Sequence, residues 1–483
     1  MGRRNEMKKG ITKRAENYAQ WYLDVIAGAD LAEHAPVKGC MIIKPYGYAI
    51  WENIQRVLDT TIKASGAKNA YFPLFIPQSF LEKETKHVKG FSPELIVVTQ
   101  AGGKKLDESL IIRPTSETVI YEVFSKWIKS YRDLPLLINQ WANIARWELR
   151  PRLFLRTVEF LWQEGHTVHS TEKEAETKAR EMLEVYRLFA ENYLALPVIP
   201  GVKTESEKFP GAVRTYCVEG MMQDGKALQV GTSHMLGQNF AKVFNVKFLS
   251  KDGTEQYAWQ TSWGVSTRLI GALIMTHSDD KGLILPPKIA PIQVVIIPVW
   301  AGEEERKKVF AKADLIARDL KKVHGINIEV DKRENMNLGP KFFEWEKKGV
   351  PIRIEIGPKD IARKSVIVVR RDTSGKESVA EERVVAQVGK ILDEIQDSLF
   401  SKALAFQCGN SYTIDSWDEF KVIIEKGGFI YAHWCGNSRC EAKVKKETKA
   451  TIRSIPLSQK KEIGRCIFCG KSSNGRVIFA KAY

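Results

Sequence analysis

The sequence predicts an α+β chain of three units. A large antiparallel sheet with helices fills residues 1–285, a small α/β unit spans 292–402, and a cysteine-bearing α/β end spans 403–483. Three observations carry this reading. From Leu95 to Trp263 the apolar runs are short, rich in Val, Ile, Phe and Trp, and separated by turns, as in antiparallel strands. After the proline-rich stretch LPPKIAP at 285–291, strand-like and helix-like segments alternate, which marks a separate α/β unit. Finally, four of the seven cysteines crowd together after residue 430.

Taken in order, residues 11–27 read as an amphipathic helix and 46–65 as a longer one. Tyr46, Ile50, Ile54, Val57, Leu58 and Ile62 recur at helical spacing, and Gly66 ends the run. Ala70–Phe75 is strand-like but carries Pro73, which cannot donate a ladder hydrogen bond, so an edge or interface position is expected. Strand signals follow at Leu95–Thr99, Leu136–Trp141, Thr157–His169, Ala227–Val230 and Gln256–Val265. Helices are expected at about 116–130, 171–195 and 266–276. In the second unit Val294–Pro298, Ile326–Val330, Ile352–Ile356 and Val366–Arg371 read as strands, with helices at 302–324, 338–349 and about 378–402.

The chain has 483 residues, 44% hydrophobic and 27% charged, which excludes a disordered polyelectrolyte. A formal net charge of +16 favours a polyanionic partner, through long-range attraction and counterion release. No run of 18 apolar residues is present, so no membrane span is expected. Met1 to Gly10 is charged and lacks an apolar core, unlike a secretory signal, and Glu6 stands where N-myristoylation wants Ser or Thr. An odd, clustered set of cysteines suits metal binding in a reducing cytoplasm better than disulfides.

Cys435 and Cys440 enclose four residues, Cys466 and Cys469 enclose two, and 25 residues separate the pairs. Such spacing can set four thiolates around one structural Zn2+, with no open position for catalysis. His433 is an alternative ligand, and four adjacent free cysteines are the bland alternative. Arg113-Pro114-Thr115-Ser116-Glu117-Thr118 precedes an apolar-periodic stretch. Thr115 or Ser116 can cap that helix with Glu117 in its first turn, or the hydroxyl and carboxylate can face a small cation. Arg146-Trp147-Glu148, a polar loop, and Arg156-Thr157-Val158-Glu159-Phe160 read as strand, loop and strand. That returns Arg146 and Arg156 to one place, where guanidinium forks suit a phosphate. Gln229 to His234 (QVGTSH) and Gly264 to Ala272 (GVSTRLIGA) complete the set. Arg268 falls in the first turn of a helix, where a cation opposes the dipole and so serves an anion instead. No Walker loop or dinucleotide fingerprint is present, so any ATP must be held by arginines on an antiparallel sheet.

Together these stretches resemble the class II aminoacyl-tRNA synthetases. The helix 46–65 with the Pro73 strand is similar to their dimer-forming first motif, Arg146 through Phe160 to their second, and Gly264 through Arg268 with its helix to their third. RPTSET at 113–118, LRTVEFLWQEGH at 155–166, GTSH at 231–234 and KFFEWEKKGVPIRIEIGPKD at 341–360 resemble the prolyl-tRNA synthetases in particular. The interval between the second and third motifs leaves no room for the editing insertion of the bacterial type. Gly427 through Tyr483 resembles the zinc-binding extension of the archaeal/eukaryote-like branch, which ends in tyrosine and folds back on the catalytic domain.

The resemblance implies a class II antiparallel-sheet catalytic domain, an anticodon-binding α/β domain and a small zinc-binding α/β domain. It implies a cytoplasmic homodimer acting on L-proline, ATP with Mg2+, and tRNA(Pro). Proline would be held by Thr115, Glu117, Arg146, Trp162 and His234. ATP would be held by Arg146, Arg156, Thr157, Gln229, Thr232, Ser266 and Arg268, with Arg146 and Arg268 catalytic. In the anticodon domain Arg333, Lys341, Glu346 and Arg353 are candidates for tRNA, with Lys364, Phe342, Phe343 and Trp345 beside them. Rival readings are another class II enzyme and a non-catalytic tRNA-binding descendant.

Overall fold

Eleven strands share one sheet in a computed structural model that describes residues 10–82 and 94–483. Across the sheet they run Ser411–Thr413, Phe429–His433, Arg476–Ala480, Thr451–Pro456, Val198–Val202, Arg214–Met221, Ala227–Gly237, Trp259–Ser266, Glu159–His169, Leu136–Ala145 and Lys68–Asn69. All interior pairings are antiparallel, and only the two edge strands pair in parallel. Val198–Val202 and Arg214–Met221 extend the set of strands expected from the sequence. The charged N-terminal stretch lies, up to residue 9, outside the described residues.

Helix Glu172–Asn192 covers one face of this sheet. Thr171 and Glu174 close a reciprocal capping box at its start, and Ala175, Ala179, Met182, Leu183, Tyr186 and Ala190 form its buried stripe. The long helix Pro45–Ala64 buries Ile50, Trp51, Ile54, Leu58 and Ile62 in the same core. Ala70–Phe75 is not one strand. Lys68–Asn69 forms the sheet edge, and Phe75–Pro77 joins a separate three-stranded sheet with Lys104–Ile112 and Ile96–Ala101. Pro73 lies between them, where no ladder bond is needed.

The second unit is a five-stranded sheet ordered Ile328–Val330, Val294–Pro298, Ile352–Ile356, Ser365–Arg370 and Lys376–Ala380. Its first three strands are parallel and the rest antiparallel. Helices Glu303–His324 and Val384–Gly409 close its core. Residues 378–380, expected to begin the last helix, belong instead to the edge strand Lys376–Ala380, and the helix runs past the expected boundary at 402. Its apolar stripe, Val384, Val388, Ile391, Ile395 and Leu399, runs on past Gly389 and meets no proline or further glycine before Gly409. The unit is fastened to the first by Arg371, which donates to both oxygens of Asp279 at 2.9 and 2.7 Å.

The cysteine-bearing end has its own small core around Phe420, Ile430, Ile452 and Phe479. Its strands nevertheless continue the large sheet, through Ile455 opposite Val202 and Pro456 opposite Gly201. The chain then returns to the first unit. Tyr483 donates its amide to the Ala227 carbonyl at 3.2 Å and its hydroxyl to Asp224 at 2.5 Å.

Candidate active site

The face of the large sheet opposite helix Glu172–Asn192 holds a cavity of about 380 Å3. Its lining includes Thr115, Glu117, Arg146, Arg156, Thr157, Trp162, Gln229, Thr232, His234, Ser266 and Arg268. Residues 113–118 lead out of strand Lys104–Ile112 of the three-stranded sheet, and the Ala145 amide, donating to the Arg113 carbonyl at 3.2 Å, ties them to the large sheet, where they meet 264–268 from far along the chain.

One end of the cavity is acidic. Helix Glu117–Trp127 starts there, with Glu117 buried and its carboxylate accepting from the Thr115 hydroxyl. Ser116 does not use its side chain to cap the helix. Its hydroxyl donates instead to Glu164 at 2.6 Å, and Gln140 donates to the same oxygen at 2.7 Å. A buried carboxylate needs donors more than a helix end does. His166 meets the other Glu164 oxygen at 2.9 Å. Burial alone would lower the His166 pKa, but the bond to Glu164 and the charges of Glu164 and Glu117 raise it overall. Arg113 is structural: fully buried, it donates to the carbonyls of Phe72 and Asn143 at 2.7 and 2.8 Å.

The hairpin carrying Arg146 and Arg156 forms as expected, with the Arg146 amide bonded to the Val158 carbonyl at 2.8 Å. Arg146 Nε donates to the Pro114 carbonyl at 2.8 Å, and its guanidinium lies over Phe160 and Trp162. Burial lowers its pKa, countered by Glu94, Glu117 and Glu164. Arg156 pairs with Glu148 at 3.0 Å. Arg268 begins the helix Arg268–His277 and is pushed down to about 10, first by burial and then by the charges of Arg146 and Arg156. Three guanidinium groups in one partly buried cavity repel one another, a tension that a polyanion relieves. Trp162 Nε1 and Ser262 Oγ, both on lining residues, are buried with no hydrogen-bond partner among the described residues.

His234 closes the wall. The Thr215 hydroxyl accepts the Phe209 amide at 2.9 Å and lies 3.1 Å from His234 Nδ1. Phe209 stacks on the His234 ring at 4.5 Å. Behind the wall, Gly165 is required: a Cβ there would lie 2.1 Å from the Trp263 ring. Glu164, His166, Phe209 and Thr215 are lining residues that the sequence analysis did not single out. Period-two alternation with Trp162 was a signal for the first two. Phe209 belongs to a loop and carries no such signal.

The four cysteines of the last unit come together. Their sulfur atoms all lie within 4.8 Å of one another, with Cys435 3.7 Å from both Cys440 and Cys469. Tetrahedral Zn–S bonds of about 2.3 Å require sulfurs about 3.8 Å apart, so the set fits zinc. His433 stands outside it, engaged by Ser473 at 3.2 Å and Glu462 at 3.5 Å.

The tRNA candidates of the α/β unit separate. Lys341 is fully buried, bonded to the Asp331 carbonyl at 3.2 Å and set over Trp300, so it is a core residue and not available to a tRNA. Its helical neighbour Trp345 is likewise buried, whereas Phe343 is 64% exposed. Arg333 is partly exposed and paired with Asp331 and Glu344. Glu346 and Arg353 line a smaller cavity of about 160 Å3, with Arg353 stacked on Phe342 at 4.4 Å.

The sequence matches three family models: a tRNA synthetase class II core domain (G, H, P, S and T) over 99–277, an anticodon-binding domain over 293–391, and the prolyl-tRNA synthetase C-terminal domain over 417–483. It is 54% identical to a proline–tRNA ligase of Porphyromonas gingivalis over 489 aligned positions, covering 98% of this chain and 99% of that one. Proline–tRNA ligases of Roseiflexus castenholzii and Chlorobaculum tepidum are each 55% identical, over 99% of this chain and all of theirs.

Proposed function

The chain belongs to the prolyl-tRNA synthetases, and from that premise we propose how its residues divide the work of joining proline to tRNA. The activity has two steps. Proline's carboxylate attacks the α-phosphorus of ATP, giving prolyl-adenylate and pyrophosphate; a terminal ribose hydroxyl of the tRNA then takes the prolyl group and releases AMP.

In this reading Glu117 and Thr115 receive proline's secondary ammonium, which needs acceptors. Trp162 and His234 form the wall for its ring, and Arg146 bridges its carboxylate to the α-phosphate. Arg156, Thr157, Gln229, Thr232, Ser266 and Arg268 hold the nucleotide, which enters as its magnesium complex. Catalysis is then chiefly orientation, worth about 7–11 kcal/mol in favourable cases, plus charge stabilisation. The observation that carries this is the cavity with a carboxylate–hydroxyl pair at one end and three guanidinium groups beside it.

The interval between the second and third motifs supports an enzyme without a cis-editing domain. Val198–Val202, Arg214–Met221 and Ala227–Gly237 all belong to the main sheet, and helix Glu172–Asn192 packs on it. A structural zinc at Cys435, Cys440, Cys466 and Cys469 is proposed from their spacing. Arg333, Glu346 and Arg353 are kept as tRNA contacts. Assembly as a homodimer is proposed because the large apolar side chains of Tyr71, Phe75 and Trp127, near the edge strand Lys68–Asn69, are exposed. The cytoplasm is the proposed location, since all seven cysteines are free thiols.

Proline-dependent exchange of pyrophosphate into ATP tests the assignment. Exchange with proline and its near-absence with threonine or glycine is expected; exchange driven by another amino acid in preference to proline would overturn it.

A further inference from the structure

Glu441 belongs to the cysteine-bearing end, yet its carboxylate is spent on the catalytic unit. It is buried, and its two oxygens accept from the Thr204 hydroxyl at 2.8 Å and the Ser206 hydroxyl at 2.5 Å. No ion pair to Glu441 is present among the described residues, so it grips hydroxyls rather than neutralising a cation. One helical turn on, Lys445 reaches Glu207 at 3.2 Å. At the base of the same loop, Lys203 donates to Glu219 at 2.7 Å and to the Arg453 carbonyl at 2.6 Å, and Arg453 meets Glu219 at 3.0 Å.

The loop in question, 203–210, joins strands Val198–Val202 and Arg214–Met221. Its own backbone bonds are few: the Glu207 and Lys208 amides reach the Thr204 carbonyl. Its shape is therefore set by what its side chains find. The far half, residues 207–210, lines the catalytic cavity. Phe209 stacks on His234 there, and its amide holds the Thr215 hydroxyl that meets His234 Nδ1. A continuous run of contacts thus leads from Glu441 to the wall of the cavity.

We propose that Glu441 is a positioning residue for the amino-acid site: it moors loop 203–210 so that Phe209 and, through Thr215, His234 stand where the ring of the substrate packs. This rests on the reading of His234 as part of the proline seat. Glu441 touches no reactant and forms no bond in the reaction. Its loss lets the loop wander, which weakens binding of the amino acid and leaves the arginine end of the cavity in place.

The test is steady-state pyrophosphate exchange by the full-length enzyme, with metal content and thermal unfolding measured in parallel. Glu441→Gln, which keeps only one acceptor oxygen, should raise KM for proline about tenfold while KM for ATP and zinc content stay near wild type. On the loop side, Thr204→Val with Ser206→Ala should do the same, and combining it with Glu441→Ala should add little, as for groups acting through one contact. A proline KM within about twofold of wild type in Glu441→Gln and Glu441→Ala would overturn the proposal. So would loss of zinc and thermal stability with an unchanged proline KM, which would confine Glu441 to holding its own unit together. His234→Ala separates the underlying reading: if it too leaves proline KM unchanged, the seat has been misassigned; if it raises KM and the Glu441 variants do not, the mooring alone is wrong.

Discussion

The Arg146 guanidinium lies 5.8 Å from the centre of the Trp162 ring, held there by its Nε bond to the Pro114 carbonyl. That bond ties the second motif to the segment carrying Thr115 and Glu117, so the arginine proposed to bridge the two substrates is oriented by the segment proposed as the proline seat. Arg146→Ala should lower the exchange rate by about 10²–10³-fold, the scale of losing an oriented donor to developing charge. Circular dichroism should show an intact fold. Near-normal exchange in this variant would remove Arg146 from the chemistry.

Arg268 is held against burial and against the charges of two other arginines, which keep its pKa near 10. Its charge therefore opposes folding, a cost that fits the role in ATP binding proposed for it. Arg268→Met should abolish measurable ATP affinity yet leave the nucleotide-free protein no less stable, with Tm higher by about 2 °C if roughly 1 kcal/mol is relieved. A marked fall in Tm would show that the guanidinium is structural.

Alanine should be activated as well as proline. A pocket shaped for a small apolar ring rejects a smaller competitor by only about 1–3 kcal/mol, or 10–200-fold, and the chain between the second and third motifs is used up by the main sheet. Exchange rates with alanine more than about a thousandfold below those with proline would mean that the seat discriminates by another device.

The pairing of His166 with Glu164 makes stability depend on pH. The imidazole pKa is raised in the folded protein above its ordinary 6.5. The native state therefore holds a proton that the unfolded chain releases, and the stabilisation is fully present below pH 6.5 and lost as pH rises through the folded value. Comparing Tm of the wild type and His166→Gln from pH 6 upward checks this. The wild type's advantage should shrink as pH rises; a constant or growing gap would show that the ring is neutral in the folded state.

Elemental analysis should find one zinc per chain, and Cys440→Ser should release it. Because Cys440 lies in the first turn of the helix that carries Glu441, amide exchange in strand Phe429–His433 should then quicken by about tenfold or more. Full protection without metal would mean that the apolar core around Phe420 and Phe479 suffices.

Most of the strands and helices were legible because each is an amphipathic or β-branched run whose period needs no distant partner. Val294–Pro298 was read to the residue because a buried parallel strand is a continuous apolar run bounded by breakers, and Ile352–Ile356 because its isoleucines alternate with Arg353 and Glu355 at strand period. The edge strand Lys376–Ala380 was missed because its pattern is polar and its pairing partner, Ser365–Arg370, supplies the apolar contacts. Lys341 looked like a phosphate contact because lysine is usually exposed; its burial depends on Asp331 and Trp300, which no local pattern connects to it.

By itself the sequence determined the family and singled out eleven of the residues that line the candidate cavity, because motif chemistry is written in side-chain types at short spacing. Only the tertiary structure decided what surrounds them: that Glu164 takes the Ser116 hydroxyl, that Phe209 stacks on His234, and that the cysteine-bearing end joins the catalytic sheet and reaches back through Glu441. Those contacts link residues dozens to hundreds of positions apart. They arise when strand order and burial force polar groups to find partners wherever the fold has placed them.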